Sequence, residues 1–357
     1  VQGIGPVKVK ALLDHFGDLE AAWCAAPIDL ARAGLDRRAL DNLRAAKSRL
    51  NLDEELRKID KLGVKVLTWE DIDYPEKLRH IAASPPVLYV KGELKPEDEW
   101  AVAVVGTRTP TADGREVARH IAAGLARSRV TVVSGLARGV DAQAHRAALD
   151  AGGRTLAVLG CGLDIVYPPE HRRLAQRIVE QGALISDYPL GTRPEARNFP
   201  PRNRIISGVS QGVLIVEGAL DSGARITADF AVDQGREVFA VPGSILNRTS
   251  DLTNHLIQNG AKVVMRTEDI LEELNLTRVS QQVEVRSVLP VTDEEAKLLR
   301  ILSHEPRHVD EISRLGDMSV AEVSSALTLM ELKGLVRNAG GMRYAVARDN
   351  RTEYTTG

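Results

Sequence analysis

Cysteine is nearly missing from this sequence: Cys24 and Cys161 are the two among 357 residues, and they lie far apart. That excludes a disulfide scaffold and offers no metal-ligand spacing. A reducing, cytoplasmic compartment is the expected one. Long hydrophobic runs are missing too. Runs such as Trp100–Val105 and Val213–Val216 are strand-sized, against the ~20 apolar residues needed to cross a bilayer, so no membrane partner is expected. No signal peptide is visible, and Val1 in place of Met leads us to expect that an original N-terminus is missing. Lysine is absent from residues 101–210, which hold 15 Arg and 9 acidic residues, a net charge of +6. Residues 211–287 carry 7 basic and 11 acidic residues, a net of −4, so the whole-chain charge of −2 hides a cationic block. Arginine outperforms lysine where planar, bidentate phosphate contacts or stacking on bases matter. A GC-rich genome also enriches Arg over Lys, yet Lys8, Lys10, Lys47, Lys58, Lys61 and Lys65 all precede the block.

What is present is ordinary globular composition, with 43% hydrophobic and 27% charged residues, and the length predicts two or three domains. Residues 1–63 read as helices, with apolar positions at helical spacing through Leu40, Leu43, Ala46 and Leu50. The opening Gly3-Ile4-Gly5-Pro6, followed by Lys8 and Lys10, resembles one hairpin of a helix-hairpin-helix or sterile-alpha-motif-like module; a Gly/Pro turn starting a packing helix reads the same way. Residues 64–275 alternate apolar strands (Val64–Thr68, Val87–Val90, Ala101–Val105, Val130–Ser134, Thr155–Leu159, Val213–Val216, Glu237–Val241) with helices at Asp113–Arg127, Asp141–Ala151, Glu170–Gln181 and Ile226–Gln234. That pattern predicts an α/β fold, an extended Rossmann-like and mostly parallel sheet, with ligands beyond the carboxyl ends of the strands. Residues 276–290 read as a linker. Residues 291–357 read as a winged-helix-like domain: helices from Thr292-Asp293 to Leu302, His308 to Leu315 and Ser319 to Lys333, a stop at Gly334, and a wing turned by Gly340-Gly341.

The loops after the strands carry the candidate chemistry. Gly106-Thr107-Arg108-Thr109-Pro110-Thr111 combines glycine, hydroxyls, one Arg and a helix N-terminus, which suits a phosphate; an ordinary βα turn is the plain alternative. Neither G-x-G-x-x-G nor a G-K-S/T loop is present, which argues against a dinucleotide or ATP site. Ser134-Gly135-Leu136-Ala137-Arg138-Gly139 repeats the glycine-plus-Arg theme, followed by Asp141, read as a helix cap, and His145, read as a structural hydrogen-bonder. In Arg193–Gly208 four Arg flank Phe199. Arg supplies salt-sensitive phosphate contacts, and an aromatic stacks on an unpaired base for ~1–3 kcal/mol. The structural alternative is a rigid Pro200-Pro201 turn with the Arg side chains paired to Glu195, Asp187 or Glu217. Glu217, closing an apolar strand, is expected to orient an Arg. No G-x-S-x-G, H-E-x-x-H or EF-hand pattern occurs, and no acid/base pair can be assembled.

Taken in order, G-T-R-T-P-T, S-G-L-A-R-G-V-D-A-Q-A-H, A-V-L-G-C-G-L-D-I-V-Y-P, F-P-P-R-N-R-I-I-S-G, S-G-A-R-I-T-A and V-F-A-V-P-G-S closely resemble the DNA-processing protein A family (DprA, also called Smf). The resemblance implies a bacterial cytoplasmic protein of natural transformation that binds incoming single-stranded DNA, forms a homodimer and loads the recombinase RecA, with no catalytic turnover and no cofactor or metal. The family's DNA-binding Arg falls on Arg108, with Thr107 in place of the usual Ser. A basic residue ahead of the F-P-x-R-N-R motif falls at Ala196 or Arg197. Pro169 stands where some members carry Lys, with Arg172 and Arg173 downstream as substitutes.

The candidate DNA-contacting set is therefore Gly106, Thr107, Arg108, Thr109, Ser134, Gly135, Arg138, Gly139, Arg172, Arg197, Phe199, Arg202, Asn203, Arg204 and Lys262. The rival is an enzyme acting on a nucleotide or phosphate-bearing small molecule. Such enzymes use P-G-G-x-G-T-x-x-E, whereas this chain reads Pro242-Gly243-Ser244-Ile245-Leu246-Asn247. The third helix of the winged-helix pattern offers Glu322, Glu331 and Lys333, a poor set for reading a major groove.

Overall fold

The computed structural model describes residues 1, 3–276, 293–303, 306–316, 318–332, 336–338 and 340–346. They fall into two compact units, Val1–Thr277 and Arg278–Gly357. The first unit opens with five helices, α1 (Pro6–Phe16), α2 (Leu19–Cys24), α3 (Pro27–Arg32), α4 (Arg37–Arg49) and α5 (Leu52–Lys61). Proline begins α1 and α3, where a missing N–H costs nothing. Asp18, Asp36 and Asn51 accept the N–H of Ala21, Ala39 and Glu54 and so cap α2, α4 and α5. Leu12, Leu30, Leu35 and Leu43 close a small core of their own.

The chain then runs through β1 (Val64–Thr68), α6 (Glu76–Arg79), β2 (Val87–Gly92), β3 (Ala101–Val105), α7 (Ala112–Arg127), β4 (Thr131–Ser134), α8 (Val140–Asp150) and β5 (Thr155–Val158). It continues through α9 (Arg172–Gln181), β6 (Gly182–Ser186), α10 (Phe199–Gly208), β7 (Gly212–Ile215), α11 (Gly223–Asp233), β8 (Glu237–Ala240), α12 (Asp251–Gln258), β9 (Lys262–Val263) and α13 (Thr267–Glu273). The nine strands form one sheet in the order β1-β2-β6-β5-β4-β3-β7-β8-β9. From β6 to β9 every pairing is parallel; β1–β2 and β2–β6 are antiparallel. Strands β3 to β7 are buried on both faces, as a sheet sandwiched by helices requires.

The strand order sets the site. Strands β3 to β6 step outward in one direction, and the chain then returns to lay β7 against the other side of β3. Beyond the carboxyl ends of β3 and β7 the flanking loops diverge and leave a crevice. Several elements differ from the sequence expectation. The Arg-rich segment is the helix α10, with Pro200 and Pro201 in its first turn rather than in a free turn. The strands β6 and β9 and the helices α12 and α13 were not read from periodicity, because each is short or begins directly after another element. Lys8, which follows the Gly3-Ile4-Gly5-Pro6 turn, is paired with Asp36 at 2.6 Å.

In the second unit, α14 (Asp293–Ile301), α15 (Val309–Gly316) and α16 (Val320–Leu332) pack Leu298, Ile312, Leu327 and Met330 beneath a sheet of β10 (Arg307–His308), β12 (Arg343–Val346) and β11 (Val336–Asn338). This is a winged helix. Ser319 and Glu322 exchange hydrogen bonds as a capping box, so Glu322 serves the helix itself. The linker expected at 276–290 lies, past residue 276, outside the described residues, as do Thr292, Lys333 and Gly334. Among the described residues no helix is long and apolar enough to cross a membrane.

His145, on α8, is fully buried. Its Nδ1 lies 2.7 Å from the Thr155 hydroxyl, which itself donates to the Val132 carbonyl, so Nδ1 carries the hydrogen and Nε2 stays bare and buried. Burial, reinforced by His171 and Arg202, pushes its pKa down to about 3. The unfolded chain therefore takes a proton near pH 6.5 that the folded chain refuses. Stability contributed by this group is complete above that pH and is lost as the pH falls toward about 3. In His145→Asn, melting-temperature scans between these limits should show a shallower fall than in the parent chain.

Candidate nucleic-acid interface

A cleft of about 540 Å³ opens at the crevice between β3 and β7. Its walls come from the loop after β3 (Gly106, Thr107, Arg108), the start of α8 (Asp141), the first turns of α10 (Phe199, Arg202, Asn203) and the N-terminal turns of α11 (Ser222 to Thr227), with Tyr167 at the rim. The loop after β3 is latched from behind. Glu217, just past β7, accepts from the Thr111 hydroxyl and from the Thr111 N–H at 2.9 Å, while Thr107 N–H donates to the Glu217 carbonyl at 2.7 Å. Thr111 caps α7 through Gly114 N–H. Glu217 thus holds a loop and a helix cap, not an arginine as the sequence reading had it.

The glycines fit the loops to one another. A Cβ on Gly106 would lie 2.7 Å from Val140 Cγ2 and 2.8 Å from the Glu217 carbonyl oxygen. One on Gly135 would meet Arg202 Nη2 at 2.7 Å and Asp141 Oδ2 at 2.8 Å. Gly139, at φ +78°, presses on the backbone of Thr107 and Arg108. Protein atoms occupy these close approaches, so the glycines bring the second loop against the first. Asp141 does not cap α8, whose N-cap is Gly139 without a side-chain bond; it reaches back to the N–H groups of Gly135 and Ala137. Burial pushes its carboxyl up, against the pull of Arg202 and those two amides.

Burial sorts the arginines. Arg202 is 4% exposed and donates through Nη1 to the Gly135 and Val158 carbonyls, leaving Nε unpartnered. Burial pushes its pKa down and Asp141 opposes that shift. Its guanidinium stands 5.7 Å from the Phe199 ring centroid, and that of Arg108 stands 5.9 Å from the same centroid. Arg108 is exposed, and among the described residues no carboxylate is ion-paired with it. Phe199 is half-buried, with the Tyr167 ring 5.7 Å away. Arg138 and Arg197 are exposed and paired with Glu170 and Glu195, at 2.5 and 2.6 Å; surface pairs of this kind are weak and salt-screened. Arg172 is exposed at the start of α9.

Three candidates, Arg204, Ser134 and Lys262, stand apart. Arg204 lies two residues beyond Arg202 on α10, about 200° around the helix. It points away from the cleft into a half-buried pair with Asp187, the two side chains 11% and 15% exposed. Ser134 is fully buried and donates to the Val104 carbonyl. Lys262 sits on β9, three strands from β3, and is paired with Glu273 at 2.6 Å. Thr109 is exposed on the β3 loop, its N–H directed at Thr107 Oγ1. The N-terminal turn of α11 is missing from the candidate set that the sequence suggests, although Ser222-Gly223 after an apolar strand is the pattern of a helix start. Among the described residues the buried Ser222 hydroxyl has no hydrogen-bond partner, and the Asn203 amide donates to the Gly223 carbonyl.

A family model described as DNA recombination-mediator protein A matches residues 65–275, and one described as DprA winged helix domain matches residues 284–342. The chain belongs to the DNA-processing protein A family. Protein Smf of Synechocystis sp. is 36% identical over 96% of each chain, and protein Smf of Escherichia coli is 42% identical over 75% of this chain and 74% of its own. The structure of DprA from Streptococcus pneumoniae superposes with a TM-score of 0.68 at 35% identity, covering 76% of this chain and 94% of that one. That of DprA from Helicobacter pylori, described by its single-stranded DNA binding mode, gives 0.54 at 28% identity over 59% and 95%. In this DprA-family chain the nine-stranded sheet, Val64 apart, and its cleft lie within the first matched segment. Among the described residues no group of three or more His, Cys, Asp and Glu side chains is placed to hold a metal ion.

Asp187→Ala takes the carboxylate from half-buried Arg204, which keeps the Ala83 and Pro201 carbonyls, and should cost about 1–3 kcal/mol in urea unfolding. Glu217→Ala strips the Thr111 hydroxyl and N–H of their acceptor and should cost about 1–3 kcal/mol, with faster amide exchange across residues 106–111.

Proposed function

We propose that this chain binds single-stranded DNA along the carboxyl edge of its parallel sheet, without chemistry, and delivers the strand to RecA during natural transformation. Arg108 carries the reading: an exposed guanidinium, free of any carboxylate among the described residues, over an aromatic ring at the mouth of the cleft. The topology supports a path. The loops after β6, β5, β4 and β3 carry Arg197, Arg172, Arg138 and Arg108, and follow one another along one edge. At ~4.8 Å between neighbouring strands these loops span about 14 Å. Arg138 and Arg197 exchange their exposed carboxylates for phosphates. Arg202 stays in place as a buried cation behind Phe199, which stacks a base. Thr107, Thr109 and Asn203 supply polar contacts, while Gly106, Gly135 and Gly139 act by closing the loops onto one another.

The family supports the same reading, since a relative's solved structure is described by its single-stranded DNA binding. The proposal includes a cytoplasmic homodimer and a functional division at residues 1–63, 64–275 and 291–357. A non-enzymatic role agrees with Asp141, the carboxylate lining the cleft, being engaged by two loop amides.

Arg108→Ala should weaken oligothymidine binding whatever the flanking sequence. It should flatten the plot of log affinity against log salt by about 0.7 and leave the melting temperature unchanged. Undiminished affinity at equal stability would remove Arg108 from the interface.

A further inference from the structure

We propose that helix α4, outside the cleft, is a second contact for single-stranded DNA, holding phosphates of the same strand beyond the sheet edge. The inference rests on the single-strand reading of the cleft and extends it to the N-terminal helices.

Charge in these helices is segregated. Residues 37–49 hold five basic residues and one acidic, a net of +4, whereas residues 1–36 are net −2 and residues 50–63 net −1. Arg37, Arg38, Arg44 and Arg49 are exposed, and among the described residues none of them is ion-paired. The segregation is not what helix stability favours. Arg37 and Arg38 occupy the first turn of α4, where the helix dipole favours acidic side chains and disfavours cations. Lys47 and Arg49, in the last turn, agree with the dipole. On a helical wheel Arg37 and Arg44 fall within about 20° of each other and Arg38 about 100° from Arg37. Leu43, on the buried side, faces the helical core. The exposed face carries two lines of cations, Arg37 with Arg44 about 11 Å apart at 1.5 Å per residue, and Arg38 with Arg49 about 16 Å apart and turned about 100–120° from the first, with Asp41 between the lines; each is long enough for more than one phosphate.

An aromatic flanks this face. Half-buried Trp23 lies under Lys47, the ammonium 5.5 Å from the ring centroid. A cationic track with an adjoining ring is the combination that binds unpaired strands: phosphates follow the cations and a base stacks on the aromatic. This favours a single strand over duplex. The track is separate from the cleft. The N-terminal helices lead into β1, which is five strand intervals from β3, or about 24 Å at ~4.8 Å per interval. A short strand reaches one site; a long strand reaches both, and linkage of the two raises the affinity without a new contact in either.

The test uses the full chain carrying Arg37→Glu and Arg38→Glu. Both substitutions put acid where the helix dipole favours it, so folding is preserved and the melting temperature should hold or rise. Fluorescence anisotropy would be read with labelled oligothymidine of about eight and about forty nucleotides, bracketing one site and both. For the long strand, affinity should fall about tenfold and the salt slope should flatten by about 1.4; the short strand should bind as before. Unchanged binding of the long strand overturns the proposal. So does an equal loss at both lengths, which would place α4 within the first site. Arg108→Ala, measured alongside on the short strand, reports on the cleft alone, so failure of the cleft reading and failure of α4 give different patterns.

Discussion

Parallel strand direction is the constraint on which the site depends. Every pairing from β6 to β9 runs the same way, so every loop that leaves a carboxyl end emerges on one edge. Residues separated by 91 positions in sequence, Arg108 and Phe199, meet there for that reason. The return of the chain to the far side of β3 then splays the loops after β3 and β7 and opens the cleft between them. The loops are not free to wander. Glu217 latches the first to β7, and Gly139 lets the second press against it.

Desolvation decides which arginines belong to the fold and which to a ligand. A buried guanidinium must find acceptors inside the protein or destabilise it, because water no longer solvates it. Arg204 finds Asp187, and Arg202 finds two backbone carbonyls with Asp141 near. These two are held by the interior. Arg108, Arg138, Arg172 and Arg197 keep their solvent, and where they have carboxylate partners those pairs are exposed and exchangeable. Arg202 has a mixed position, since it is anchored from behind yet presents its charge to the aromatic ring that lines the cleft. It gives the cleft a fixed positive background that salt screens poorly, while the outer arginines respond to salt fully.

Much of the fold was legible in the sequence because it rests on local patterns. Apolar strands alternating with amphipathic helices announce a parallel sheet whichever order the strands take. The winged helix was legible from its caps, Ser319 for α16 above all. The order of strands was not, because it depends on which apolar surfaces meet after the chain has turned back. The helix α10 was hidden by Phe199-Pro200-Pro201, a string that looks like a turn until the first-turn tolerance for proline is considered.

The sequence by itself determined the supply of cations, their concentration between residues 101 and 210, the small residues in the loops and the absence of any lysine there. Composition and spacing are properties of the chain alone. Only the tertiary structure decided the assignment of each cation. Helical rather than extended backbone at 199–208 turns Arg202 and Arg204 to opposite sides, and strand order sets Lys262 on β9, two strands beyond β7 and the cleft. The physical reason is that a charge takes its role from what surrounds it, and the surroundings come from residues distant along the chain.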